Sequence, residues 1–120
     1  MRELLFGETK VTIKASPLTP LLYRQSFNSD ILQDVIKLQS MQDGIENLDI
    51  IVLLQIAYAM AKSAAYGKEF PSSFEKWLSE LDGADFSDPE FMLGIVEEAM
   101  QGLFRKGFSN VQQAANKQKH

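Results

Sequence analysis

The chain has 120 residues, a formal net charge of −4 and no cysteine. That length predicts one domain. The missing thiols exclude disulfides and thiolate chemistry, and the acidic balance disfavours wholesale binding to nucleic-acid phosphate. The richest apolar run, residues 48–67, is broken by Gln55 and Lys62, so no membrane span is expected. The opening "MRELLFGETK" lacks the apolar stretch of a signal peptide. A soluble, cytoplasmic protein is the expectation.

Residues 3–14 read as a β-hairpin, with Gly7-Glu8 as a Gly-X pair suited to a type II′ turn. Val11 and Ile13 alternate with Lys10, Thr12 and Lys14, the pattern of a half-buried strand. "SPLTP" then stops the strand, with Ser16 and Thr19 as possible caps for a short helix "PLLYRQSF". Asn28 or Ser29 is expected to cap the next helix, and Phe27 to staple onto Leu32. Its apolar stripe is Ile31, Leu32, Val35, Ile36 and Leu38, and "MQDG" is expected to end it.

Residues 46–66 are apolar nearly all round, which predicts a central, buried helix stopped at Gly67. Ser72 with Glu75 forms a capping box for "FEKWLSEL", whose stripe is Phe74, Trp77, Leu78 and Leu81. "DGADFSDPEF" is a turn. Ser87 with Glu90, or Asp88 with Pro89, starts a last helix carrying Phe91, Ile95, Val96, Ala99, Leu103 and Phe104 at helical spacing. The expected fold is α+β and predominantly helical: an amino-terminal hairpin packed on four to five helices over residues 1–105. Residues 106–120 are expected to be a polar, basic, flexible tail.

The chain offers little for catalysis. Its one histidine is His120, the last residue, where no second shell is expected to hold it. Nucleotide-binding, hydrolase and metalloprotease motifs are absent, and no cofactor or metal is expected. Asp82, Asp85 and Asp88 lack calcium-loop spacing and read chiefly as turn formers and helix-start charges. From Glu75 to Glu98 there are eight acids against Lys76 alone. This imbalance makes Asp82, Asp85 and Asp88 candidate partner contacts as well. Phe86 and Phe108, aromatics without an evident core slot, join them.

Taken together, "YRQSF…D", "AYAMAKSA" and "FEKWL", in this order behind a short hairpin, resemble the tail assembly chaperones of long-tailed bacteriophages and of prophages in Gram-positive bacteria. The resemblance reaches to about Arg105. It implies a non-enzymatic protein that coats the tape measure protein, recruits tail tube subunits and is absent from the mature virion. It also implies that a frameshifted long form can accompany the short one. Self-association through the hairpin edges is a further expectation. The alternative is a small helical prophage regulator, a transcription factor or anti-regulator. The acidic final helix has the wrong sign for a DNA-reading helix.

Overall fold

The structure is a computed structural model and describes residues 1–40 and 49–104. The expected helix stop at "MQDG", the helix start at residues 46–48 and the tail at 106–120 lie outside the described residues. Among these residues, two strands, β1 (Arg2–Phe6) and β2 (Thr9–Ile13), precede five helices. These are α1 (Leu18–Phe27), α2 (Ile31–Ser40), α3 (Ile50–Ala64), α4 (Phe74–Ser79) and α5 (Pro89–Leu103). The fold is α+β and predominantly helical, as expected.

The strands pair antiparallel, with Phe6 opposite Thr9 and Arg2 opposite Ile13. Of the two loop residues only Gly7 has positive φ, at 66°, which is what a type II′ turn requires. Alternation puts Leu4, Phe6, Val11 and Ile13 on the core side and leaves Leu5 exposed. A two-stranded sheet is marginal alone. Here it lies across α3, which packs against β2, and α5, which packs against β1.

Helix α3 is the hub, with α1, α2, α4, α5 and β2 all packing on it. Its buried positions, Leu53, Leu54, Ile56–Met60, Ala61 and Ser63, cover nearly every direction. Asp49 caps it by accepting the Val52 N–H at 3.2 Å, and Ala65 ends it ahead of Gly67. The hairpin's exit is tied to this helix twice. Lys14 donates its N–H to the Met60 carbonyl at 3.1 Å, and the Ser16 and Ser63 hydroxyls lie 2.7 Å apart.

Local capping differs from expectation at three helices. At α1 the cap position is Pro17 with no side-chain cap bond, Thr19 lies inside the helix, and Ser16 accepts the Leu18 N–H at 3.3 Å. Asn28 does not start α2 but ends α1, in the left-handed region that asparagine tolerates, with its N–H on the Arg24 carbonyl. Asp30 serves the start of α2, accepting the Leu32 N–H at 2.9 Å. Phe27 turns into an aromatic cluster with Tyr23, Tyr58 and Phe74. At α4 the cap is Ser73, not Ser72, and it accepts from the Lys76 N–H. Asp88 caps α5 and Pro89 opens it.

Tyr23 is the one tyrosine with no exposure at all. Its hydroxyl donates to Asp34 Oδ2 at 2.7 Å, and Ser29 donates to the same oxygen at 2.9 Å. This node joins α1 to α2. Burial, then the hydrogen bond to Asp34 and the charges of Asp34 and Asp49, raise the Tyr23 phenol well above its ordinary range. A raised folded-state pKa contributes stability that is complete below the unfolded value of about 10 and is lost as pH rises further. Stability should therefore be flat on the alkaline side up to about pH 10 and fall above it. Tyr23→Phe should flatten that fall in a denaturant series across pH; an unchanged slope would contradict the assignment.

Candidate functional site

The acidic loop between α4 and α5 was the sequence's first candidate surface, and its aspartates are engaged inside the chain. Asp82 Oδ2 accepts the N–H of Glu8 at 2.9 Å, while the Asp82 N–H donates to Thr9 Oγ1 at 3.2 Å. The next residue, Gly83, donates its N–H to the Phe6 carbonyl at 3.2 Å. The loop thus clamps the hairpin turn from about 75 residues away in sequence. The clamp needs a bare α-carbon at Gly7, where a Cβ would meet the Asp82 carboxylate and come within 2.9 Å of the Gly83 nitrogen.

Asp85 accepts both the backbone N–H and the hydroxyl of Ser87. That is an Asx turn leading into α5. The hydroxyl first, then the N–H, hold the Asp85 carboxyl below the ordinary aspartate value. A lowered pKa contributes above that value and is lost as pH falls through the folded one. The group is fully exposed, so its weight in stability is small. Asp88 Oδ1 accepts the Glu90 N–H at 3.0 Å as the α5 cap. Each aspartate bonds to a different segment, and among the described residues no three acidic, histidine or cysteine side chains form a metal-holding group.

Phe86, expected to lack a core slot, has one. It is half-buried against the core and meets Phe91 edge-to-face at 6.2 Å. Phe108 lies outside the described residues. Glu98, counted with the acidic surface from sequence, is 5% exposed. Its carboxylate accepts the Ala15 N–H at 3.4 Å and lies 3.3 Å from the Met1 amino group. Its neighbour Glu97 pairs with Arg2 at 3.2 Å. Helical geometry sends these two sequence neighbours to different partners.

The acids that remain exposed without a partner among the described residues include Glu75 and Glu90. No protein-family model, curated protein or solved structure matches the chain. The surface therefore has to be judged by its own chemistry, and its most informative feature lies on α2. The sequence stripe splits there: Ile31, Val35 and Leu38 are buried, but Leu32 is 37% and Ile36 52% exposed. Four residues apart, they stand one turn from each other on the outer face of the helix. Leu21, Ile51 and Leu93 are also exposed on other helices. No helix among the described residues is long and apolar enough to cross a membrane.

Sequence periodicity registers apolar residues without saying which side of a stripe faces the core. Leu32 and Ile36 therefore belong to the same apolar stripe as Ile31, Val35 and Leu38 in the sequence, but not to the same face of the fold. An apolar arc on α2 wider than its contacts to α1, α3 and α5 can cover was the available signal.

Proposed function

We propose that the chain is a tail assembly chaperone of a phage or prophage. In this role it is a non-enzymatic, cytoplasmic holder that binds the tape measure protein, recruits tail tube subunits and stays out of the mature virion. The proposal starts from the resemblance carried by "YRQSF…D", "AYAMAKSA" and "FEKWL". The surface observation that supports it is the outward pair Leu32 and Ile36. A tape measure protein is expected to be long, helical and apolar-striped, and an apolar ridge on a charged surface is what such a helix packs against. Exposed acids such as Glu75 and Glu90 keep the holder soluble and select basic flanks on its client.

The intramolecular duties of Asp82, Asp85 and Asp88 remove them as clean probes of this role. Leu32→Ser combined with Ile36→Ser is the better test, because neither side chain is buried and the fold should be retained. Pull-down of the tape measure protein should fall by about tenfold or more, with an unchanged circular dichroism spectrum. Equal capture by wild type and double variant would remove α2 from the client surface.

A further inference from the structure

Beside β2 runs a groove of about 550 Å³. One wall is the strand from Thr9 to Thr12. The other is apolar and built from Ala61, Ala64, Phe70 and Trp77. The register decides what the strand offers. The pair closing a two-residue hairpin loop, Phe6 and Thr9, is a hydrogen-bonded one, so the bonded partners in β2 are Thr9, Val11 and Ile13. Lys10 and Thr12 therefore turn their N–H and C=O groups outward. Lys14 continues that outward set, and its N–H bonds to the Met60 carbonyl rather than to β1. Among the described residues nothing takes up the N–H of Lys10 or Thr12.

We propose that this groove docks an extended peptide segment of a partner. The segment adds as a third strand through the main chain of Lys10 and Thr12, points alternate apolar side chains at Ala61, Ala64, Phe70 and Trp77, and carries acidic residues on its other face. Strand addition supplies affinity through the main chain and specificity through alternate pockets. The acidic preference follows from Lys10 and Lys68, exposed on the groove's rim without an acid partner among the described residues; Glu80 is the one acid in the groove's lining, and Glu3 shares the outer sheet face with Lys10 at a diagonal position without pairing to it. Lys10 would sit opposite the incoming strand's outward residues, where an unlike charge is favoured. A folded second copy fits less well. The inward side chains of its own β1, Leu4 and Phe6, are 8% and 0% exposed, so they are already spent in its own core. The chain's residues 106–120 carry no acid to meet the lysines.

Trp77 is the only tryptophan, so its emission reports on the groove directly. The probe is a blocked hexapeptide alternating Glu and Val, with Lys/Val and proline-interrupted hexapeptides as comparisons. The Glu/Val peptide should give a saturable emission change and slow amide exchange at Lys10 and Thr12 of the full chain. Thr12→Pro, which removes an outward donor at a sheet edge that accepts proline, should weaken binding by about tenfold or more. Ala64→Leu, which fills the apolar side, should do the same. The Lys/Val peptide should bind more weakly. If Thr12→Pro fails to fold, the exchange data on the wild-type chain still decide. Absence of saturation up to millimolar peptide would overturn the proposal, as would equal binding of the proline-interrupted peptide. Protection of Lys10 and Thr12 without peptide would also overturn it. If that protection rises with protein concentration, the edge belongs to a second copy; if it does not, the chain's own residues hold it.

Discussion

Gly7→Val should lower the stability of the chain by about 2–5 kcal/mol. Two costs add. A β-branched residue at a φ of 66° sits in the left-handed region that L side chains avoid, at about 1–2 kcal/mol. The new Cβ also collides with the Asp82 carboxylate and presses on the Gly83 backbone, an overpacking cost of about 1–3 kcal/mol. The two costs can be separated. Asp82→Ala alone should be mild, because the Glu8 N–H that it strands is exposed to water. In the double variant the carboxylate is gone, so the combined loss should be smaller than the sum of the single losses. Urea unfolding of the four proteins measures this. Strict additivity would mean that Asp82 is not committed to the hairpin turn.

Tyr58→Ala should have the largest effect of any single change, about 3–5 kcal/mol. The Tyr58 ring is 1% exposed. It lies 5.5–5.7 Å, centroid to centroid, from the rings of Phe27, Phe70, Phe74 and Trp77. Those four rings come from α1, the chain ahead of α4 and α4 itself, so one deletion loosens every element on that side of α3. At about 4 °C or more per kcal/mol for a domain of this size, Tm should fall by at least about 12 °C. Trp77 emission should shift to the red as water reaches the ring. A Tm within a few degrees of wild type would show that the cluster repacks and is not the organising contact.

The elements legible in the sequence are those whose signal is local. The hairpin is announced by Gly7-Glu8 and the alternation of Val11 and Ile13. The buried helix is announced by an apolar run with little polar face, and α5 by the start signals Ser87 with Glu90 or Asp88 with Pro89, of which the second is used. Where neighbouring polar residues compete for one cap, pattern alone is weaker, since Asn28, Ser29 and Asp30 all suit a helix start and only packing chooses. The clamp of Asp82 on Glu8 joins residues 74 positions apart, and the burial of Glu98 depends on where Ala15 and Met1 arrive. No periodicity carries such information. A run of eight acids therefore read as one surface, although its members divide among a hairpin clamp, an Asx turn, a helix cap, an ion pair with Arg2, a buried acceptor and open solvent. The outward stance of Leu32 and Ile36, on which the proposed client surface rests, became visible only once the neighbours of α2 were in place.

The most direct measurement of the proposed role is the solubility of the tape measure protein that the proposal implies as client, expressed with and without the chain. Tail assembly chaperone activity predicts that the tape measure protein aggregates alone, remains soluble on co-expression, and co-purifies with the wild-type chain far better than with the Leu32→Ser, Ile36→Ser variant. A tape measure protein that precipitates equally in the presence of abundant, folded chain would contradict it.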